Sequence, residues 1–196
     1  ILNHWPEADI TYLDKAALIK AGIYGREDVE GESTEFSFTR FYVPFLCNYK
    51  GIAMFCDNDF LWKGDPRNIR RYVNGNEPMA VVKHDDYEAE SNKMNGIQNK
   101  SYPKKNWSSL MVFRCDQFKN KLTKEYLDNA TPAQLHEFHF INEKNIGSIP
   151  KDFNCLVGHY DCKNAKALHY TNGGPWFDEY KDGELSEEWW KVYNSL

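Results

Sequence analysis

GIAMFCDNDF, residues 51–60, is the stretch on which the fold turns. An apolar run opens at Gly51 and closes on acid at Asp57. A run so short and so uniformly apolar reads as a strand buried on both faces, as in a parallel sheet. Asp57 and Asp59 then fall at the C-terminal end of that strand, the edge of an open α/β sheet where ligands sit. In an extended chain, residues i and i+2 point the same way. Two carboxylates so placed repel each other unless a cation bridges them. Mg²⁺ and Mn²⁺ prefer oxygen ligands and commonly take one or two carboxylates together with phosphate oxygens. The spacing therefore fits a metal–diphosphate clamp. The plain alternative is a pair of strand-end acids facing water.

Upstream, FSFTRFYVPFLCN (36–48) carries apolar positions at helical spacing, with Ser33 or Thr34 as a cap, Glu35 in the first turn, and a kink or break expected at Pro44. Downstream, MAVVK (79–83), SSLMVFRC (108–115) and KALHYT (166–171) read as strands. Helices are expected over 65–73, after Asp65-Pro66, over 117–128, after Asp116, and over 131–138 and 186–194. Strands alternating with helices give an α/β class. The segment from His84 to Asn106 is a long polar loop, and Gly173-Gly174-Pro175 marks a turn.

At 196 residues the chain is expected to form one domain, 1–196. Hydrophobic residues make up 41% and charged residues 27%, the balance of a globular protein. No apolar stretch approaches the ~18–20 residues that span a bilayer. The net charge of −5 argues against a nucleic-acid binder, which usually shows a basic face. An acidic protein that handles an anionic nucleotide needs a metal ion or a few well-placed cations. The five cysteines form no CxxC pair and read as buried free thiols in a reducing cytosol. The opening ILNHWPEAD shows no basic-then-apolar leader, so a cytoplasmic location is expected.

The stretch SFTRFYVPFLCNYKGIAMFCDNDFLWKGDP (37–66), NWSSLMVF (106–113) and LHYTNGGPW (168–176), in that order, resembles glycosyltransferase family eight and its bacterial relatives. The resemblance covers roughly residues 33–180. It implies a GT-A fold with a mixed, mostly parallel central sheet flanked by helices. It also implies transfer of a hexose or deoxyhexose from a UDP-sugar to a glycan acceptor, with retention and usually with Mn²⁺. The strand that binds the base in that family is expected to lie before Ile1, so that the opening residues fall in the helix that follows it.

By the same resemblance, Asp57 and Asp59 hold the metal and the ribose side of the donor, and His169 is the third metal ligand. A neutral imidazole suits Mn²⁺. Asn58 lies between the acids as a donor contact. Arg40 matches the family's helix arginine facing the donor, where a guanidinium can bind diphosphate oxygens bidentately. Asn106 and Ser108 match the sugar-contacting segment. Glu143 precedes IGSIP (146–150), where relatives carry acids that could stabilise an oxocarbenium-like centre. Lys83, His84 and Asp85 end a strand on the same edge, and Trp107 and Trp176 could stack on rings. The family's lysine before Pro-Trp is Gly174 here, leaving the metal, Arg40, Lys83 or backbone amides near Gly173 to bind phosphate. Each of these residues also has an ordinary structural alternative: a surface ion pair, a strand-entry turn, a loop acid or a core aromatic. Two other functions fit acids at strand ends, a sugar-nucleotide pyrophosphorylase and a non-catalytic metal-dependent sugar-binding module.

Overall fold

Two sheets meet at the acidic triplet in the computed structural model, which describes residues 1–27, 37–85, 87 and 103–195. The expected caps Ser33, Thr34 and Glu35 and most of the loop after Asp85 lie outside the described residues. The strands are β1 (Ile52–Cys56), β2 (Phe60–Trp62), β3 (Met79–Val82), β4 (Leu110–Arg114), β5 (Ile146–Ile149), β6 (Cys155–Leu156) and β7 (Ala167–His169). One sheet has the order β1-β4-β3-β5 and the other β2-β7-β6. The β1–β4, β3–β4 and β2–β7 pairs are antiparallel, whereas β3–β5 and β6–β7 are parallel.

The apolar run does form a strand, but β1 lies at the edge of its sheet and pairs antiparallel with β4. Ile52 is 39% exposed, and Phe55 is the buried residue of the strand. β3, by contrast, is buried along its whole length. Apolar composition reports that a strand's faces are covered; it does not report whether its edge is paired. The central sheet is thus mixed, as expected, but not mostly parallel: β1–β4 and β3–β4 are antiparallel and β3–β5 is parallel. Because β1 and β3 both run antiparallel to β4, their C-terminal ends share one edge with the N-terminal end of β4. That edge collects Asp57, Lys83 and Ser108.

The alternation of β4 divides the core. Met111 and Phe113 point into an aromatic-rich cluster with Phe41, Tyr42, Phe118 and Phe138. Leu110 and Val112 point the other way, toward Ile69, Val73, Val82 and Phe153. Each fully buried side chain of this size contributes about 1.5–3 kcal/mol by leaving water. A third, smaller cluster contains Leu61, Leu168, Tyr170 and the bonded pair Cys155–Cys162. The disulfide corrects the expectation of free thiols throughout. Cys47, Cys56 and Cys115 are free. Disulfides persist in oxidising compartments, so the cysteines lend no support to a reducing cytosol. Among the described residues, no helix is long and apolar enough to cross a membrane.

The helices are short. Thr39–Tyr42 forms a 3₁₀ turn that runs into α2 (Val43–Leu46), with Pro44 in the first turn, where its missing N–H costs nothing. Asp65 caps Pro66–Val73 as expected, but the segment is 3₁₀. The helix expected over 117–128 is broken: Cys115–Phe118 is a 3₁₀ turn, and α3 (Lys124–Asn129) starts afresh on the Thr123 cap. A capping box of Thr131 and Gln134 starts α4 (Pro132–His136), and α5 spans Ser186–Tyr193. The opening residues are turns and irregular backbone rather than helix, up to Asp14, which caps α1 (Lys15–Lys20).

Candidate functional site

The chain leaves β1 at Cys56, turns through Asp57, Asn58 and Asp59, and enters β2 at Phe60. The triplet is therefore a junction between the sheets, and its backbone is held by both. The Asp57 N–H donates to the Ser109 carbonyl at 2.9 Å, and the Asp59 carbonyl accepts from the Tyr170 N–H at 3.1 Å. Asn58, between them, is exposed. His169 ends β7 directly opposite Phe60 in the β2–β7 register. Its ring stacks on Phe60 with centroids 4.4 Å apart, and its Nε2 lies 3.3 Å from Asp59 Oδ1. One ligand atom from each of Asp57, Asp59 and His169 lies within 4.8 Å of the others. Residues more than a hundred positions apart in the chain are brought together by a single strand pairing.

Asp57 has a cation of its own. Arg40 Nη2 lies 2.9 Å from Asp57 Oδ1, and the two side chains are 8% and 14% exposed. Arg40 Nη1 also donates to the Ser108 carbonyl at 3.0 Å and approaches Ser108 Oγ at 3.3 Å. The guanidinium thus faces the first carboxylate and the start of β4. Ser108 Oγ sits 3.3 Å from His136 Nδ1. The His136 ring packs between Phe38 and Phe41. Burial, and then the charges of Arg40 and Arg26, push its pKa down to about 3, so it is neutral here.

On the other side, His169 is anchored from behind. Its Nδ1 lies 2.8 Å from Asn154 Oδ1. Asn154 Nδ2 lies 2.9 Å from Ser109 Oγ, which in turn lies 2.6 Å from the Asn106 carbonyl. All four residues are buried. Asn106 holds a left-handed backbone, φ 64°, which turns the chain into β4.

The remaining candidates fall into two groups. The Lys83 and Lys104 ammoniums lie 5.5 and 5.8 Å from the Trp107 ring centroid. Glu143, 59% exposed, pairs with Lys104 at 3.0 Å, and that hydrogen bond holds its carboxyl below the ordinary range. Trp107 itself is buried, whereas Trp176 is 41% exposed. His84 is buried and stacks on Tyr160, whereas Asp85 is exposed. At the turn, Gly173 has φ +139°, and a Cβ there would meet the Tyr180 ring at 2.5 Å. A Cβ on Gly174 would meet the Trp176 ring at 2.1 Å. A lysine at 174 would therefore displace Trp176, a physical reason for the departure at this position.

No family model matches the chain. Over 188 residues it is 42% identical to Protein CDI of Arabidopsis thaliana, covering 92% of this chain and 73% of that protein. The chain belongs to the Protein CDI family. Among solved structures, it is similar to the WbbM bifunctional glycosyltransferase in its apo form, with a TM-score of 0.57, 17% identity and coverage of 86% of this chain and 38% of that one. It is also similar to the glycosyltransferase GlyE of Streptococcus pneumoniae TIGR4, with a TM-score of 0.53, 14% identity and coverage of 79% and 42%. The apo form of GlyE gives 0.55, 13%, 90% and 49%. The chain spans less than half the length of each of these enzymes. At such identities the likeness speaks for the fold: a GT-A-like, mixed α/β architecture.

The sequence singled out Asp57, Asp59, His169, Arg40 and Ser108, and the structure brings them together. It missed Asn154, Ser109 and His136. Asn154 precedes a two-residue strand and His136 ends a five-residue helix, so no local pattern marks either.

Proposed function

We propose that this chain is a metal-dependent glycosyltransferase that holds the diphosphate of a nucleotide-sugar through Mn²⁺ or Mg²⁺ at Asp57, Asp59 and His169. The observation that carries this is the convergence of two carboxylates and an imidazole at the sheet junction. An imidazole nitrogen 3.3 Å from a carboxylate oxygen is favourable only with a proton or a cation between them. The two carboxylates suit Mn²⁺ or Mg²⁺, and the imidazole nitrogen favours Mn²⁺ of the two.

A divalent ion bound there would offset charge developing on the leaving diphosphate. The protein's own groups do the rest. Arg40 orients Asp57 from inside the protein rather than reaching outward. Lys83, on the same sheet edge, supplies a second positive charge for the donor. Asn106 and Ser108 offer amide and hydroxyl groups at the start of β4 for the donor sugar, and the Gly173 backbone can approach phosphate closely. Glu143, held ionised by Lys104, is the carboxylate available to an oxocarbenium-like centre. A uridine base, a hexose or deoxyhexose donor, a glycan acceptor and retention of configuration follow from the resemblance to family eight.

A thermal-shift panel of UDP, GDP and CDP, each with and without Mn²⁺, tests this. A ligand at 100 times its Kd stabilises the native state by about 2.7 kcal/mol. Metal-dependent stabilisation by UDP above the other two is the expected result. Free-glycan binding with Ca²⁺ and no nucleotide response would point to a sugar-binding module. Pyrophosphate release from a nucleoside triphosphate and a sugar-1-phosphate would point to a pyrophosphorylase.

A further inference from the structure

We propose that Asn154 is a positioning residue: it fixes the Nδ1–H tautomer of His169 and turns the Nε2 lone pair toward Asp59. The inference deepens the metal reading above and rests on it for the identity of the cation; the tautomer follows from hydrogen bonding alone.

The chain of deduction starts at a backbone carbonyl. The Asn106 carbonyl can only accept, and Ser109 Oγ is 2.6 Å from it, so the single hydroxyl hydrogen of Ser109 points there. Ser109 Oγ is left with lone pairs. The Asn154 atom 2.9 Å from it must then be the amide nitrogen, which fixes the orientation of the whole amide. The Asn154 amide oxygen therefore faces His169 Nδ1 at 2.8 Å. That oxygen accepts only, so Nδ1 carries the hydrogen, and a neutral ring is left with its lone pair on Nε2. Stacking on Phe60 holds the ring plane, and the parallel register of β6 on β7, Leu156 opposite His169, sets Asn154 behind it. The result is an imidazole lone pair and a carboxylate aimed at one point.

Outer partners that orient a ligating histidine are worth about 10–100-fold in metal affinity. Two measurements test the proposal. In cation-free wild-type protein at alkaline pH, long-range ¹H–¹⁵N NMR, assigned with His169→Gln, should show a pyrrole-type Nδ1 and a pyridine-type Nε2 on His169. A predominant Nε2–H form overturns the proposal without any need for a folded variant at 154. Calorimetric Mn²⁺ titrations should then show a loss of about 10–100-fold in Asn154→Ala. Asn154→Asp, which keeps an acceptor for Nδ1–H but loses the donor to Ser109 Oγ, should lose less affinity than Asn154→Ala. Unchanged Mn²⁺ affinity in a folded Asn154→Ala protein also overturns the proposal. A wild type with the Nδ1–H tautomer that takes up no Mn²⁺ supports the positioning and sinks the metal reading, so the two failures are distinguishable.

Discussion

Asp57 and Asp59 are separated by one residue, yet they belong to different electrostatic worlds. Asp57 closes the first sheet against Arg40, whose guanidinium also holds the Ser108 carbonyl. Asp59 opens the second sheet against His169, whose Nδ1 side is committed to Asn154. The first carboxylate carries a permanent countercharge from the fold. The second faces an imidazole nitrogen 3.3 Å away. One carboxylate is paired with a cation of the fold; the other faces an imidazole, and in the proposed site a divalent ion would join both.

The sharpest way to break this contrast is to remove the built-in charge. Arg40→Met takes the guanidinium away from Asp57 in a largely buried place, and breaking a buried ion pair costs about 3–5 kcal/mol. Urea unfolding would measure it; a loss below about 1 kcal/mol would place the pair among solvent-screened surface bridges. On the other half, if the proposed metal site holds, Asp59→Asn should do little to folding but weaken Mn²⁺ by more than the ~10–100-fold typical of outer partners, since it would remove a ligand itself. Calorimetry at fixed pH reads this directly, and wild-type affinity in the variant would remove Asp59 from the site.

A further effect, on the Arg40 side, is read by pH. The pKa of His136, beside Arg40, is lowered in the fold from its ordinary 6.5 to about 3. The unfolded chain therefore binds a proton that the folded one refuses. The contribution is complete above pH 6.5 and is lost as pH falls toward 3, at about 1.4 kcal/mol per unit. His136→Gln should flatten that part of the stability profile between pH 6 and 4. Smallest of all, Ser108→Ala removes the hydroxyl between Arg40 and His136 but keeps the backbone carbonyl. A cost of about 1 kcal/mol is expected in the same unfolding assay.

Much of the site was visible before folding. The apolar run before Asp57 marked a strand, and its acids fell at a strand end. His169 closed another strand, just ahead of the Gly173-Gly174 turn. The expectation that Asp57 and Asp59 act as i and i+2 neighbours on one strand needed revision. They end one strand and begin the approach to another, and it is the β2–β7 pairing that turns Asp59 onto His169. The helix expected over 117–128 failed for a local reason: the Thr123 side chain accepts from the Tyr126 N–H and starts a new helix there. The 8-residue segment Pro66–Val73 kept its cap and its apolar side but took the tighter 3₁₀ winding.

What is local was legible in the sequence: the strand-like apolar runs, the helix starts at Asp65 and Thr131, and the acidic triplet. These follow from side-chain periodicity and short hydrogen bonds, which act within a few residues. Only the tertiary structure decided that β1 lies at an edge, that Cys155 is bonded to Cys162, that Arg40 belongs to Asp57, and that Asn154 stands behind His169. Most of those choices rest on strand register and on packing between segments distant in the chain. No local pattern encodes them, because each is set by the joint burial of many residues at once.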